Sequence, residues 1–298
     1  MTAQLITDLA GARALDLASL PVRPEPPTVL MCPPDYFEVR DVKNAFMAGN
    51  IGAVDRQKAM AQWEALRDTF RRLGHDVVTI DPVPDREDMV FSANQALPGI
   101  GPDGIPYAVM SRMRHESRRL EVPHYRAWFA RRGYRIIDLE TPALFEGQGD
   151  ALWHPGRQLL WGGYGHRTDI ATYRELAQRL DTPIIALELP TEEFYHLDTC
   201  LCLLDERTAL AYPKALSEEG MAILRALFPT VIEATDVEAS RFFACNAACL
   251  DGRHVVIQKG VGELKRKLEA AGFEVVEVDT SEFIKSGGSV FCMKVAVY

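Results

Sequence analysis

The chain has 298 residues, with 33 Lys and Arg against 42 Asp and Glu, which gives a formal net charge of −9. That length can bury a full hydrophobic core, and it allows one large domain or two ordinary ones. Hydrophobic residues make up 47% and charged residues 25%, so the composition excludes wholesale disorder. The acidic balance argues against sequence-independent binding of nucleic acid, which needs a basic face.

The N-terminal sequence MTAQLITDLAGARALDL (1–17) has no basic flank followed by an apolar run, so it does not resemble a signal peptide. No stretch approaches the 18 or so apolar residues of a membrane span. The six cysteines are too sparse for a disulfide framework; they are Cys32, Cys200, Cys202, Cys245, Cys249 and Cys292. These features predict a cytoplasmic protein with reduced thiols and no membrane partner.

Five segments have the periodicity of an amphipathic helix, and each is followed by a short β-rich run. In the first of them Met60, Trp63, Leu66 and Phe70 recur at three- and four-residue spacing. In chain order the predicted helices cover residues 56–74, 124–133, 168–180, 217–228 and 261–272, followed by HDVVTID, YRIIDLE, PIIALEL, PTVIEAT and FEVVEVD.

Paired β-like runs with turn residues between them separate these helices, which predicts a unit of hairpin, helix and strand repeated every 45 to 60 residues or so. The runs are MVFSANQALPGIGPDGIPYAVMS, GDALWHPGRQLLWGG, DTCLCLLDERTALAYP and ACNAACLDGRHVVIQ. The fifth unit is predicted to close across the termini, with TVLMCPP on one side and SVFCMKVAVY on the other. A chain whose last strand completes its first module forms a ring. We therefore predict a single domain over residues 1–298, with 1–25 as a peripheral extension.

Several familiar motifs are absent or incomplete. The glycines at 162–165 and 147–149 lack the spacing of a dinucleotide or phosphate loop, which favours turns. Cys200 and Cys202 share one face of a strand, but no second CxxC pair or histidine cluster accompanies them. They are therefore interpreted as core cysteines rather than zinc ligands, as are Cys245 and Cys249.

Three polar stretches are unusual for a packed globule: FEGQGD (145–150), FYHLDT (194–199) and KSGGSVFC (285–292). One cysteine, one histidine and several carboxylates far apart in sequence match a thiol nucleophile with an acid/base partner. By composition alone, Cys292 is interpreted first as a core cysteine. The joint placement is the stronger signal, because each stretch falls at the start of a hairpin in a different repeat, and in a ring those starts converge on the central axis.

The order MVFSAN (89–94), SRMRH (111–115), FEGQGD, YHLDT (195–199) and GGSVFC (287–292) resembles the guanidine-modifying enzymes. This superfamily contains the amidinotransferases, arginine deiminases and dimethylarginine dimethylaminohydrolases, and its α/β ring of five modules is called the pentein fold, a five-bladed propeller around a central active-site channel. The resemblance covers about residues 28–298. The asparagine that ends MVFSAN and the segment at 31–44 are most similar to the arginine dihydrolase branch, which converts arginine to ornithine with loss of two ammonia molecules.

The resemblance implies a role for each polar residue. Cys292 would attack the guanidinium carbon to give a covalent thiouronium, and Asp198 would hold the guanidinium N–H groups. His196 would protonate the departing ammonia and then activate water. Glu146 would orient His196 and keep it protonated, and Asp150 is the alternative for that role because EGQGD can be aligned either way.

Asn94 departs from the pattern of the deiminases and the dimethylarginine dimethylaminohydrolases, in which a carboxylate stands at this position. An amide removes a charge and offers one donor edge, so a neutral citrulline-level intermediate would be held better and would react again. Arg112 would bind the substrate α-carboxylate, although it is also interpretable as one of several exposed arginines that include Arg118. Asn44 and Asn246 are further candidates for lining the pocket, with ordinary turn asparagines as the alternative.

Other functions stay open at this point. An amidinotransferase would keep the same cysteine, histidine and carboxylates, and a requirement for an amine acceptor would distinguish it; deiminase and dimethylarginine dimethylaminohydrolase activities are further alternatives. Non-enzymatic rings of the same fold exist as translation factors, but the joint presence of Glu146, His196, Asp198 and Cys292 argues against that reading. The chemistry requires no metal or organic cofactor, the partner is a small guanidino substrate, and the sequence is compatible with a homo-oligomer.

Overall fold

The structure is a computed structural model and describes residues 3–298. Its helices are α1 (Leu9–Ala14), α2 (Arg56–Arg72), α3 (Glu116–Arg119), α4 (Val122–Arg131), α5 (Ile170–Leu180), α6 (Glu218–Leu227), α7 (Asp236–Phe242), α8 (Gly262–Ala270) and α9 (Ser281–Ile284). Its strands are β1 (Leu5–Ile6), β2 (Thr28–Met31), β3 (Asp76–Thr79), β4 (Ala96–Ile100), β5 (Pro106–Met110), β6 (Arg135–Ile137), β7 (Ala151–Trp153), β8 (Leu160–Tyr164), β9 (Ile184–Glu188), β10 (Leu201–Leu203), β11 (Thr208–Ala211), β12 (Thr230–Glu233), β13 (Ala248–Cys249), β14 (His254–Gln258), β15 (Glu274–Val278) and β16 (Val295–Val297).

The predicted repeat of hairpin, helix and strand is confirmed. The helices α2, α4, α5, α6 and α8 coincide with the five predicted segments, and each is followed by its predicted strand. In α2 the periodic apolar residues Trp63, Leu66 and Phe70 are all buried, because the three- and four-residue spacing gathers them on one face. The four predicted hairpins are β4–β5, β7–β8, β10–β11 and β13–β14, each with antiparallel pairing.

Within each sheet the strand that follows the helix lies beside the second strand of the hairpin. The pairing of β5 with β6 is parallel, with Val109 opposite Ile137, and β8–β9 and β11–β12 are also parallel. The order β13-β14-β15 repeats the arrangement. A parallel pair needs a long crossover connection, and in these modules the helix supplies it.

The last strand completes the first module, as the sequence predicts. Strand β16 pairs antiparallel with β2, where Val295 lies opposite Leu30, and β2 pairs in parallel with β3. The result is a fifth copy of the hairpin-plus-strand arrangement, built from residues at both ends of the described chain. The residue run from Ser289 to Lys294 is therefore held directly before a buried strand.

The contacts group the described residues into two compact units. The first comprises residues 3–25 and Asp150–Glu277, and the second comprises Pro26–Gly149 and Val278–Tyr298. That all 298 residues form one domain stays a prediction. Within residues 3–298, no helix has both the length and the apolar character needed to cross a bilayer.

The N-terminal segment adds structure to the first unit that the sequence analysis does not anticipate. Strand β1 pairs in parallel with β9 and becomes an edge of the sheet β1-β9-β8-β7. Helix α1 begins after Asp8, whose carboxylate accepts a hydrogen bond from Gly11 N, and it packs against α6. The extension is therefore part of a sheet as well as of the surface.

Helix α6 offers a direct test of this packing, because neighbouring residues face opposite environments. Leu224 is fully buried, so Leu224→Ala is expected to lower the free energy of unfolding by about 2–5 kcal/mol through lost burial and a residual cavity. The matched variant Arg225→Ala removes only an exposed ion pair with Glu233 and is expected to cost less than about 1 kcal/mol. Urea unfolding measures both values, and equal losses would contradict the assigned buried face.

Candidate active site

The polar residues singled out in the sequence occupy equivalent positions at the starts of hairpins. Each lies within three residues of the first strand of its hairpin; the residues are Asn94, Asp150, Asp198, Asn246 and Cys292. All of them are buried, with exposed fractions of 3% or less. The three polar stretches thus lie at hairpin starts, as predicted, and Asn94 and Asn246 occupy the equivalent positions in the two remaining modules.

In the second unit, backbone hydrogen bonds through one residue join three of these stretches. The N–H of Ala93 donates to the carbonyl of Cys292 at 3.1 Å, and the carbonyl of Ala93 accepts from Gln148 N at 2.8 Å. The cysteine segment, the MVFSAN segment and the FEGQGD segment are thereby held against each other. The structure thus brings together the stretches that carry Cys292, Asn94 and Glu146.

Glu146 is fully buried, and its Oε1 accepts a hydrogen bond from the backbone N–H of Arg114 at 2.8 Å. The next residue, Gly147, has φ +55° and packs on the MVFSAN backbone so closely that a Cβ would lie 2.6 Å from the carbonyl oxygen of Ala96. Only glycine satisfies both conditions at low cost. Gly147 therefore allows Glu146 to lie beside the start of the β4–β5 hairpin.

The loop before Cys292 is fixed by a side chain from the other end of the unit. The amide Nδ2 of Asn44 donates to the carbonyl of Ser286 at 3.0 Å, while its Oδ1 accepts from Phe46 N and Met47 N. Both edges of the Asn44 amide are therefore engaged within the protein, where they anchor the glycine loop. The role of Asn44 in binding substrate stays a prediction.

Asn94 lies beside a buried ion pair. Its Oδ1 accepts from Nη2 of Arg118 at 3.3 Å, and Nε of Arg118 donates to Glu121 at 2.9 Å. Glu121 also accepts from Nε2 of Gln95 at 2.7 Å. The Nδ2 of Asn94 is buried and has no hydrogen-bond partner among residues 3–298. An amide donor is thus left available at the position where the sequence departs from the deiminase pattern.

Burial sets the electrostatics of this pair. Burial raises the pKa of Glu121 to about 7, although the neighbouring Arg118 opposes the shift. Burial alone would lower the pKa of Arg118, but Glu121, Asp88 and Glu146 outweigh it and hold the pKa above its ordinary value. Arg118 therefore stays charged inside the second unit.

The exposed position suggested for Arg118 by the sequence is wrong, because its side chain is buried with an exposed fraction of 6%. The spacing of Arg118 and Glu121, three residues apart, is the signal that the sequence analysis passed over.

A second buried charge was also missed. The Lys43 side chain contacts Glu87 and Asp88 at 3.1 Å, just ahead of MVFSAN.

Arg112 is half-buried, and its guanidinium donates to two backbone carbonyls, those of Thr141 and Leu139. Its backbone forms a bridge with Phe145, directly before Glu146. These contacts attach the SRMRH segment to the segment that leads into FEGQGD. Binding of a substrate carboxylate by Arg112 stays a prediction.

In the first unit, the YHLDT segment is held by both neighbouring hairpin starts. Oδ1 of Asp150 accepts from the backbone N–H of Leu197 at 3.0 Å, and Nδ2 of Asn246 donates to the carbonyl of Asp198 at 2.9 Å. His196 and Asp198 are both buried within this frame. Asp150 therefore fixes the backbone next to His196 through the peptide N–H of Leu197.

The cysteines interpreted as core residues have the environment of core thiols. Burial is the main cause that raises the pKa of Cys200 and of Cys245, so both thiols stay protonated at neutral pH. The Cys202 thiol lies 3.2 Å from the carbonyl of Ala247. Among residues 3–298, no group of three or more His, Cys, Asp or Glu side chains is arranged to hold a metal ion.

The glycine loop yields a test of the second unit. A Cβ on Gly288 would lie 2.4 Å from the ring of Phe91, which packs edge-on to Phe37 and Phe283. Gly288→Ala is therefore expected to lower the free energy of unfolding by about 1–3 kcal/mol through overpacking. Gly262→Ala is the matched control, because nothing lies within 4 Å of its Cβ and it opens α8. Chemical denaturation measures both, and an unperturbed Gly288→Ala protein would contradict the contact with Phe91.

A family model described as N,N dimethylarginine dimethylhydrolase, eukaryotic, matches residues 33–298. The chain is 36% identical over 274 residues to the bifunctional arginine dihydrolase/ornithine cyclodeaminase ArgZ of Synechocystis, covering 90% of this chain and 37% of ArgZ. It thus spans little more than a third of the length of that relative. It is also 41% identical over 268 residues to the N(G),N(G)-dimethylarginine dimethylaminohydrolase of Mycobacterium tuberculosis, covering 90% of this chain and 85% of that protein.

Among solved structures, the chain is similar to the N-terminal domain of an ArgZ variant with an asparagine-to-serine substitution, covalently bound to a reaction intermediate. The TM-score is 0.85 at 35% sequence identity, and the match covers 91% of this chain and 97% of that one. The mixed α/β fold therefore matches that of the ArgZ N-terminal domain.

Proposed function

Because the chain belongs to the N,N-dimethylarginine dimethylhydrolase family, we propose that it hydrolyses the C–N bonds of a small guanidino compound, with arginine as substrate and ornithine as product. The observation that carries this proposal is Asn94, a buried amide with an available N–H2 edge where a deiminase has a carboxylate. The relatedness to ArgZ, named an arginine dihydrolase, supports the same choice.

In the proposed first step, Sγ of Cys292 attacks the guanidinium carbon and ammonia leaves, which produces a covalent thiouronium. His196 donates a proton to the departing ammonia and then takes one from the attacking water. The water oxygen adds to the carbon and the carbon–sulfur bond breaks, which forms citrulline in the site and regenerates the thiolate. The covalent intermediate seen in the ArgZ variant supports this chemistry.

The carboxylates supply the negative charge that a guanidinium requires. Asp198 is proposed to accept the in-plane N–H groups of the substrate, since a carboxylate matches that fork geometrically. Glu146 is proposed to orient His196 and favour its protonated form, while Asp150 keeps the backbone at Leu197 in place. Arg112 and Asn44 are proposed to bind the far end of the substrate. No cofactor takes part.

Asn94 is proposed to let the reaction run twice. A citrulline-level species is neutral, and its urea carbonyl needs a donor rather than a second carboxylate. While Nδ2 of Asn94 donates to the urea carbonyl oxygen, Cys292 attacks the urea carbon again and a second ammonia leaves. Water then releases a carbamate, which breaks down to ornithine and carbon dioxide. One arginine and two waters thus become ornithine, two ammonia molecules and one carbon dioxide.

The same proposal includes the arrangement of the modules. Five repeats of hairpin, helix and strand, with the last strand in the first module, are what a pentein ring requires. We propose that the five modules close around a central channel in which the hairpin starts meet. Amidino transfer can be distinguished from hydrolysis by experiment, because transfer requires an added amine acceptor.

Hydrolysis of N-methylated arginine is the second candidate, favoured by the 41% identity to the Mycobacterium tuberculosis dimethylaminohydrolase. That reaction releases dimethylamine and stops at citrulline. Parallel incubations with arginine and with dimethylarginine distinguish the two, since only the dihydrolase produces ornithine from arginine.

The first prediction concerns products and the nucleophile. Incubated with arginine, the protein is expected to release two ammonia molecules for each ornithine, measured by resolving ammonia, citrulline and ornithine over time. Cys292→Ser is expected to lower turnover by roughly a millionfold, the scale seen when a catalytic nucleophile is removed. Cys249→Ser, which changes a thiol in β13, is the matched control and is expected to stay active. Full turnover by Cys292→Ser would contradict the assigned nucleophile.

The second prediction concerns Asn94. Asn94→Asp replaces a donor by an acceptor, and the mismatch with a urea carbonyl is worth about 1–3 kcal/mol. The ratio of ornithine to citrulline is therefore expected to fall by roughly 5- to 150-fold. Asn50→Asp, a matched change of a half-buried turn asparagine, is expected to leave the ratio unchanged. A wild-type ratio in Asn94→Asp would show that the amide does not direct the second hydrolysis.

A further inference from the structure

We propose that Arg118 is a positioning residue that fixes the amide of Asn94 with its N–H2 edge toward the substrate, and that it thereby sets the ratio of ornithine to citrulline. This inference rests on the proposed dihydrolase function. It goes beyond that function by assigning a role to a buried arginine that does not belong to the polar residues at the hairpin starts.

The first argument is the chemistry of the contact. A guanidinium has five N–H donors and no acceptor, so the atom of Asn94 that faces Arg118 at 3.3 Å must be the amide oxygen. The two ends of an asparagine amide are nearly the same size, and only hydrogen bonding distinguishes them. Arg118 therefore determines which edge of Asn94 is turned away from it.

The second argument is that Arg118 is itself immobilised. Its Nε donates to Glu121 at 2.9 Å, and its Nη2 lies 3.4 Å from the carbonyl of Phe91 and 3.5 Å from that of Asp88. Glu121 is in turn held by Gln95. An arginine with fixed partners at both Nε and Nη2 can hold an amide in one orientation, whereas a flexible lysine ammonium cannot reproduce that geometry.

The third argument is what remains on the other edge. Nδ2 of Asn94 is buried and makes no hydrogen bond within residues 3–298, although buried polar atoms are nearly always paired. A bound urea carbonyl would supply the missing acceptor. If the amide rotated, its oxygen would face that carbonyl and its N–H2 group would face the Arg118 guanidinium, so both contacts would become donor–donor or acceptor–acceptor.

The test compares Arg118→Lys with Arg126→Lys, the same substitution at an exposed residue of α4 that pairs with Asp138. For Arg118→Lys the ratio of ornithine to citrulline formed from arginine is expected to fall at least tenfold, whereas Arg126→Lys keeps the wild-type ratio. A purely structural role would lower total turnover without moving the ratio. In an Asn94→Asp background, where both atoms are oxygens, Arg118→Lys is expected to have no further effect on the ratio.

A second variant covers the case in which Arg118→Lys does not fold. Arg118→Gln combined with Glu121→Gln removes both buried charges together, and the same fall in the ratio is expected. A folded Arg118→Lys or double variant with the wild-type ratio overturns the inference while the dihydrolase function stands. A wild-type protein that releases only citrulline overturns the proposed function and this inference together.

Discussion

The backbone of Ala93 makes the contacts on which the candidate site segments of the second unit depend. Its N–H donates to the Cys292 carbonyl and its carbonyl accepts from Gln148 N, so three chain segments meet at one residue. These are backbone contacts, and they do not depend on which side chains the neighbouring positions carry. The frame can therefore keep its geometry while the reacting side chains vary, which fits a family that contains several guanidine chemistries.

The segments around Asn94 are distinguished by buried charged side chains rather than by surface charge. The net charge of −9 is spread over the whole chain, whereas Arg118 with Glu121, and Lys43 with Asp88, are enclosed beside the MVFSAN segment. Removing one member of such a pair leaves an uncompensated charge in the protein interior. This lowers the free energy of unfolding far more than replacing the whole pair does. A substitution at one member of either pair beside Asn94 is therefore tolerated only if its partner changes as well.

Local patterns in the sequence predicted the five module helices and the four hairpins, because amphipathic periodicity and turn residues act over a few residues. The pairing of β16 with β2 was predicted from the repeat, whose fifth unit is completed only by the last strand. Helix α7 was missed although Thr235 and Glu238 form a capping box. Burial of Arg118 was missed because it depends on contacts with Asp88 and Phe91, which come from another segment of the chain, and β1 was missed because two residues carry no periodicity. The candidate reactive side chains were proposed from their joint order along the chain, and their roles stay predictions; the contacts around them depend on tertiary structure and were not predictable.

The pairing of β2 with β16 has a consequence for how the chain reaches its native state. Residues 28–31 emerge early in synthesis, but their antiparallel partner at 295–297 is made only after the other modules. Until then β2 carries an unsatisfied edge, and the cysteine segment cannot receive the Ala93 hydrogen bond. Pairing between residues so far apart in the sequence slows folding. It also leaves the unpaired edge of β2 exposed in the nascent chain, where it can pair with other strands. The segment around Cys292 therefore reaches its hydrogen-bonded position only after the modules that precede it have been synthesised.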